Sequence, residues 1–176
     1  MVCMRTRTRF SAALIVFSFV MCGQVVKKSP NPKLVDHLEV DENGAVHVFH
    51  TDGTEFKAPK EKGQESSESA QVGEGGHAAG WLATFQVCCQ NYATPGTLII
   101  YRPGKPLQRL GNGMLIEDWV FCADSKQVAF YTNTPHGNLN PRYELHDIET
   151  GRLLEKWVGP PTEKSPGWVN WLKSDQ

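Results

Sequence analysis

Three cysteines carry the most distinctive potential chemistry of the chain: Cys88, Cys89 and Cys122. Neighbouring residues of a strand point to opposite faces, so only one of the adjacent pair reaches a given partner. In an oxidising compartment we expect one of them to form a disulfide with Cys122, and a strained bond between the two neighbours is the alternative. Metal binding needs about four suitably spaced ligands. The sequence has no Cys-x-x-Cys or His-x-x-x-His pair, so we predict no metal and no cofactor.

Two long loops carry the polar and aromatic side chains best suited to binding. They span residues 88–96 and 133–141, whereas hairpin loops usually contain 2–5 residues. If the loops occupy equivalent positions, they form one rim, although ordinary surface loops are the alternative. The predicted ligand-binding residues are Tyr92, His136, Asn138 and Asn140.

No motif in the sequence indicates catalysis. Nucleophile motifs such as Gly-x-Ser-x-Gly and Ser-x-x-Lys are missing, as are phosphate-binding and dinucleotide-binding glycine patterns. His47 and His50 are three residues apart on one predicted strand and therefore face opposite ways. His146 alternates with core residues and is predicted to be exposed. We therefore predict no catalytic residue and favour a function other than an enzyme.

The amino terminus has the features of a secretory signal peptide. Arg5, Arg7 and Arg9 precede an apolar run over residues 10–21. A helix of that length would span roughly 18 Å, too short for a hydrocarbon core of about 30 Å. Residues 1–23 are therefore predicted to be a cleaved signal, with a secreted or periplasmic mature chain that has no membrane span. A buried core segment is the alternative, and lipid modification of Cys22 is a minor one.

Composition and turn signals divide the remaining chain. Hydrophobic residues make up 40% of the 176 residues, and the net charge of −1 gives no support to nucleic-acid binding. Residues 24–33 are predicted to be a tether. Residues 34–59 contain Asn43-Gly44 and Asp52-Gly53, which are typical of hairpins and predict three antiparallel strands. Residues 60–77 are polar and predict a flexible linker, with a weak strand at 70–72 as an alternative for that part. Residues 78–176 form the main predicted domain.

The main domain repeats itself at an offset of 47 residues. Residues 80–85 match residues 127–132, and both segments are apolar strands. Tyr101 matches Ile148, and Gly104 matches Gly151 in a predicted turn. Further matches join Leu98 with Leu145, Leu107 with Leu154, and Leu110 with Trp157. Conserved apolar spacing with a shared turn glycine predicts two similar packing units.

The second unit resembles the WD40-like repeats of TolB-type β-propellers. The resemblance rests on the aromatic segment 119–121, the turn Asp124-Ser125-Lys126, the apolar strand 128–130 and the segment 143–151 with its Thr-Gly turn. Ser125 stands where that family prefers glycine. The resemblance implies a blade-like, four-stranded architecture and is nearly silent on function.

These observations predict an all-β protein with two antiparallel, four-stranded, blade-like meanders and an N-terminal three-stranded β segment. Propellers usually need four or more blades, so two units and a stub at 168–172 predict an incomplete propeller or a β sandwich. The leading functional hypothesis is an exported, non-catalytic binding or interaction module with an unknown protein or small-molecule ligand. The alternatives are a structural subunit that completes a larger β assembly by edge pairing, with a homo-oligomer as one form of it, and an accessory fragment of a hydrolase-type propeller enzyme.

Overall fold

The computed structural model describes residues 33–87, 91–134 and 140–172, and these residues form an all-β protein. Two short 3-10 helices, Glu74–Gly76 and Gly167–Trp171, are the only helical segments among them. The strands are β1 (Val35–Val40), β2 (Val46–His50), β3 (Glu55–Lys57), β4 (Gln64–Val72), β5 (Ala79–Gln86), β6 (Ala93–Tyr101), β7 (Gln108–Leu110), β8 (Leu115–Cys122), β9 (Gln127–Asn133), β10 (Arg142–Asp147) and β11 (Leu153–Val158). The predicted fold class is confirmed.

The strands form three antiparallel sheets in chain order. Sheet A contains β1–β3, sheet B contains β4–β7 and sheet C contains β8–β11, and each strand pairs with its neighbours in sequence. Sheets B and C are therefore four-stranded meanders, as the sequence predicted. The predicted turn glycines of sheet A, Gly44 and Gly53, both have positive φ angles, of 74° and 78°. Such a conformation carries little cost for glycine and explains why these turns are tight.

The prediction of a flexible linker is wrong for residues 64–69, which form β4 together with the weak strand suggested at 70–72 and pair with β5. The polar sequence is compatible with a strand because β4 is an edge strand and most of its side chains are half-buried or exposed. Its pairing is interrupted between Glu68 and Gln71, where Ser69 has a φ of +51°. This irregularity breaks the alternation by which strands are recognised in a sequence.

The sheets stack on one another and enclose three apolar layers. The layer between sheets A and B contains Val35, Val46, Val48, Ala58, Ala79, Trp81, Ala83, Ile99 and Tyr101. The layer between sheets B and C contains Ala78, Leu82, Leu98, Ile100, Leu110, Ile116, Trp119, Val128, Phe130 and Ile148. The far face of sheet C packs against the C-terminal segment in a layer of Cys122, Ala129, Tyr131, Tyr143, Leu145, Trp168, Val169 and Leu172.

The predicted repeat corresponds to equivalent packing in sheets B and C. Trp81 pairs with Ile99 in sheet B, and residues 47 positions later, Val128 and His146, pair in sheet C. Tyr101 and Ile148 are both buried, each against the preceding sheet of the stack. The matched turn residues Gly104 and Gly151 have nearly equal φ angles, of 73° and 72°.

The outermost strands depart from the predicted match. Leu98 of sheet B pairs with Leu110, but Leu145 of sheet C pairs with Glu155 rather than with Trp157. Trp157 lies opposite Tyr143 instead, so β11 is shifted by two positions as far as Leu145, and a bulge beyond Leu145 adds one more at His146. A shift of two keeps a side chain on its original face.

Both ends of the stack are closed within the described residues. The outer face of sheet A is polar, and there His47 and Lys57 both contact Asp41, at 3.1 and 2.9 Å. At the other end, Trp168 covers sheet C and donates a hydrogen bond from Nε1 to Glu155 Oε2 at 2.7 Å. Residues 168–172, which the sequence suggested as a stub of a further unit, therefore form a cap that includes a 3-10 helix.

Candidate functional site

The two long loops leave sheets B and C at the same end of the stack, which we call the loop end. The first loop spans 87–92 and is shorter than the predicted 88–96, because residues 93–96 belong to β6; the second spans 134–141. There β5 ends opposite the start of β6, as Gln86 pairs with Ala93, and β9 ends near the start of β10, where Thr132 pairs with Arg142. The opposite end carries the connections 73–78, 102–107, 123–126 and 148–152, and we call it the turn end. Contacts between the sheets fix this orientation: at the turn end, Arg102 Nη2 donates to the Glu149 carbonyl at 3.0 Å.

Two of the four predicted ligand-binding residues can be placed. Tyr92 is 61% exposed just before β6, so its ring is available at the loop end. Asn140 is exposed just before β10. His136 and Asn138 lie outside the described residues. The structure thus brings Tyr92 and Asn140 to the same end of neighbouring sheets.

A cavity of about 270 Å³ adjoins Asn140 at the loop end. Its other lining residues are Met114 just before β8, Arg142 at the start of β10 and Val158 at the end of β11. The lining combines an amide, a guanidinium and apolar groups. Such a surface provides hydrogen-bond donors beside an apolar wall, a combination common in ligand pockets.

The cysteine prediction can be examined only at Cys122. This thiol is free and buried at the end of β8, and burial raises its pKa to about 11. Cys88 and Cys89 lie outside the described residues, so their pairing with Cys122 stays a prediction. The strand order weighs against it, because Cys122 lies at the turn end whereas β5 ends at Gln86, at the loop end.

The prediction that His146 is exposed is wrong. Its side chain lies between sheets B and C, stacked on Phe130 with the ring centroids 5.4 Å apart. Nε2 lies 3.0 Å from Glu144 Oε2, and Nδ1 lies 3.1 Å from the Gly151 carbonyl. Both partners are acceptors, so both contacts are satisfied only when the ring carries two protons. Burial opposes the charge, but these two hydrogen bonds outweigh it and raise the pKa of His146.

As predicted, His47 and His50 face opposite ways, and their side chains have different partners. His47 lies between two carboxylates on the outer face of sheet A, and hydrogen bonds to Glu55 and Asp41 raise its pKa. His50 is buried, and its Nε2 lies 2.8 Å from the hydroxyl of Tyr101 in sheet B. The contact between His50 and Tyr101 is a polar link between the two stacked sheets, so His50 positions sheet A on sheet B.

A strained turn joins β8 to β9 at the turn end. Ala123, Asp124 and Ser125 all have left-handed φ angles, of 50°, 53° and 59°, which L residues rarely adopt. Ser125 is 4% exposed, and its hydroxyl has no hydrogen-bond partner. The hydroxyl sits so near Gly73 that a Cβ there would come within 2.5 Å of it. The left-handed backbone also explains why a glycine would suit this position in a blade-like repeat.

Comparisons with known proteins add no family to this geometry. No family model matches the chain, and no curated protein matches its sequence significantly. No helix among the described residues is long and apolar enough to cross a membrane. In the same residues, no group of three or more histidine, cysteine or acidic side chains is placed to hold a metal ion.

The sequence did not indicate the cationic residues of the turn end as a group. Lys33, His77, Arg102 and Lys105 line one cavity there, although they come from three separate segments of the chain. None belongs to a recognisable motif. Pairing of β5 with β6 brings His77 close to Arg102 and Lys105, and the stacking of sheet A on sheet B adds Lys33.

Proposed function

We propose that the chain is a non-catalytic binding module whose ligand or partner contacts the loop end. The observation that carries this proposal is the exit of two long loops from the same end of neighbouring sheets, with Tyr92 exposed and Asn140 beside a cavity. Loops held by a rigid β scaffold are where binding residues concentrate. Aromatic rings with a polar tip are favoured at such surfaces because they bury a large area with little loss of side-chain freedom.

The closed stack supports this choice of surface. The charged outer face of sheet A and the C-terminal cap on sheet C leave neither terminal face apolar. Terminal units with a polar outer face are the usual way in which stacked repeat proteins remain soluble. The ends and edges of the sheets are then the surfaces open to a partner.

The finer architectural proposal is that sheets B and C are WD40-like blades of the TolB type. Support comes from the meander order, from the equivalent registers of the central strands and from the left-handed turn at Asp124-Ser125-Lys126. Three stacked sheets are fewer than a closed propeller needs, so we propose an open arc with capped ends. This assignment concerns architecture and carries no activity.

Arrays of peptides and glycans, probed with the chain and with two variants, would test the binding proposal. Tyr92→Ala removes the exposed ring at the loop end, and Trp171→Ala removes an exposed ring, 57% accessible, beside a turn-end cavity. We expect Tyr92→Ala to abolish the array signal and Trp171→Ala to leave it within about twofold. A signal that is absent, or that is insensitive to Tyr92→Ala, would contradict the proposal.

One observation favours a second candidate function, edge pairing with another chain. Strand β11 pairs only with β10 among the described strands, and it exposes Leu153, Leu154 and Val158. An open edge with apolar side chains is a template for strand addition. Light scattering across a hundredfold range of concentration would test it, with Leu154→Lys as the variant. A constant monomer mass for both proteins would exclude pairing between copies of the chain.

We further propose that the chain is exported, with residues 1–23 removed as a signal and residues 24–33 acting as a tether. The support is the arginine-rich start followed by an apolar run. Amino-terminal sequencing of the protein from cells would test this directly. A mature protein that begins near Gly23 supports export, and one that retains Arg5 excludes it.

A further inference from the structure

A cavity at the turn end of sheets A and B concentrates positive charge. It has a volume of about 480 Å³ and is lined by Lys33, His77, Arg102, Pro103, Gly104 and Lys105. No acidic side chain belongs to this lining. The arrangement is local, since the whole chain has a net charge of −1.

The cations of this cavity lack the acidic partners that other cations of the protein have. Arg109 lies 2.7 Å from Glu61, and Lys57 lies 2.9 Å from Asp41. Among the described residues, Lys33, Arg102 and Lys105 form no salt bridge. Like charges gathered without counter-charges repel one another, and an anion relieves that repulsion.

Arg102 is held in place from the neighbouring sheet. Its Nη2 donates a hydrogen bond to the Glu149 carbonyl at 3.0 Å, which fixes one corner of the guanidinium. The remaining nitrogens keep donors available, and a guanidinium binds oxyanions through two parallel hydrogen bonds. The same side chain also lines an adjoining cavity of about 370 Å³, where Lys126 adds a further cation.

Acidic side chains lie around this cavity, and they confine its unpaired positive charge to the part formed by sheet B. Asp124, Asp147 and Glu149 line the adjoining cavity and not this one, and Asp147 already accepts two hydrogen bonds from Thr150. Near sheet A, hydrogen bonds from Thr54 lower the pKa of Asp52, and Lys33 lowers it further. Lys33 therefore has an acidic neighbour, so substitutions of Arg102 and Lys105 give the clearer test of anion binding.

We propose that this cavity binds a compact, multivalent oxyanion through Arg102, Lys105, His77 and Lys33. Phosphate, sulfate and carboxylate groups share the planar or tetrahedral oxygens that a guanidinium and an ammonium group recognise. The site lies at the opposite end of the sheets from Tyr92 and Asn140, so it is separate from the loop-end surface. Its existence does not depend on the function proposed for that surface.

Calorimetric titration of the full chain with inorganic pyrophosphate and with citrate would test the proposal. The buffer should contain only chloride as a competing anion, at low ionic strength. We expect saturable binding with one site for at least one probe. Binding of pyrophosphate alone assigns a phosphate-type ligand, and binding of citrate alone assigns a polycarboxylate; either result supports the proposal.

Matched variants distinguish anion binding at this cavity from general electrostatic attraction of anions to the protein. Lys105→Gln and Arg102→Gln should each weaken binding about tenfold, because each removes a charged donor. Lys156→Gln, the same chemical change on β11, should leave affinity within about twofold. Unchanged melting temperatures would show that the variants are folded. Heat that does not saturate with either probe, or equal weakening by Lys156→Gln and Lys105→Gln, would overturn the proposal.

Discussion

Sheets B and C are two versions of one unit, and they differ where their surroundings differ. Their central strands pair in the same register from the turn end as far as Ala83 and Phe130, and they bury equivalent positions there; a bulge between Ala83 and Thr84 then shifts sheet B alone. Sheet B lies between two other sheets, whereas sheet C lies between a sheet and a short C-terminal cap. The inner edge strand of sheet B contains an irregularity at Ser69, and the outer strand of sheet C is shifted by two positions. Repetition is therefore strict in the turn-end half of the central strands and looser toward the loop end and at the edges.

This comparison shows that burial, rather than hydrogen bonding alone, keeps the repeat in register. A one-residue slip would turn every buried side chain of a central strand toward the wrong neighbour. An edge strand has fewer buried side chains, so a bulge or a shift by two costs less there. The loop end and turn end, which pack least, are correspondingly where the two sheets diverge in sequence and where we place both binding proposals.

The largest effect is expected from Trp119, which joins the two sheets. It is 1% exposed, lies against Gly80 of sheet B and donates from Nε1 to the Ser69 carbonyl at 3.1 Å. Trp119→Ala should lower the free energy of unfolding by about 3–5 kcal/mol, since it creates a cavity and removes that hydrogen bond. Trp171→Ala, at an exposed site, should cost less than about 0.5 kcal/mol. Equal losses of unfolding free energy for the two variants, measured by urea denaturation, would contradict the role of Trp119 between sheets B and C.

The next largest effect tests whether the C-terminal cap covers sheet C as a neighbouring sheet would. Leu172 is buried against the face of sheet C that sheet B does not cover. Leu172→Ala should lower the free energy of unfolding by about 2–4 kcal/mol, in the range of a truncated core residue. The matched change Leu98→Ala, between sheets B and C, should cost a similar amount. A negligible cost for Leu172→Ala alone would show that the cap contributes little and that sheet C is open.

A smaller effect distinguishes the sheets by pH. Sheet C has His146 where the equivalent position of sheet B is Ile99. The folded-state pKa of His146 is raised, so its contribution to stability is complete below the unfolded value of about 6.5 and is lost as pH rises through the folded value. The hydrogen bond from His146 also lowers the pKa of Glu144, whose contribution is lost as pH falls through its own folded value.

Unfolding measured from pH 5 to pH 9 should therefore show stability declining on the alkaline side. His146→Leu should flatten that decline in part, while His47 keeps a similar dependence at sheet A. The change in the pH profile caused by His146→Leu reports on sheet C, and His47→Leu is the control variant in sheet A. A pH profile that His146→Leu leaves unchanged would contradict the doubly protonated state of this side chain.

The smallest effect concerns the left-handed turn of sheet C. Ser125→Gly should raise the free energy of unfolding by about 0.5–1 kcal/mol, because glycine adopts a φ of +59° without strain and the unpartnered hydroxyl is removed. Gly104→Ala and Gly151→Ala make the opposite change at equivalent turns, and each should cost about 1 kcal/mol. Unequal costs at the two glycines, or a loss of stability in Ser125→Gly, would count against the equivalence of the turns.

The sequence predicted the central strands and the turns because these carry local signals. Asn43-Gly44 and Asp52-Gly53 mark tight turns, and the continuous apolar runs of β5 and β9 mark strands buried on both faces. Strand β4 was missed because its side chains are polar and Ser69 interrupts its alternation. Edge strands depend on pairing with a neighbour that a local pattern does not show.

The environment of individual polar residues was harder to predict. His146 was expected at the surface because it follows a core residue, but stacking of sheet B on sheet C covers it. The cavity of Arg102 and Lys105 was not foreseen, since its lining comes from segments that only strand pairing in sheet B and the stacking of sheet A bring together. Of the predicted loop-end residues, Tyr92 and Asn140 are where the sequence placed them, and their role in binding stays a prediction.

The contact between Trp119 and Gly80 tests the stacking of the two sheets most directly. A Cβ on Gly80 would lie 2.7 Å from Cη2 of Trp119, so the indole edge is in contact with the glycine backbone. Nuclear Overhauser spectra of the isotope-labelled chain should show a strong cross-peak between the Trp119 ring protons and the Gly80 Hα protons. Cross-peaks from that ring only to residues of sheet C, with none to Gly80, would contradict the stacked arrangement.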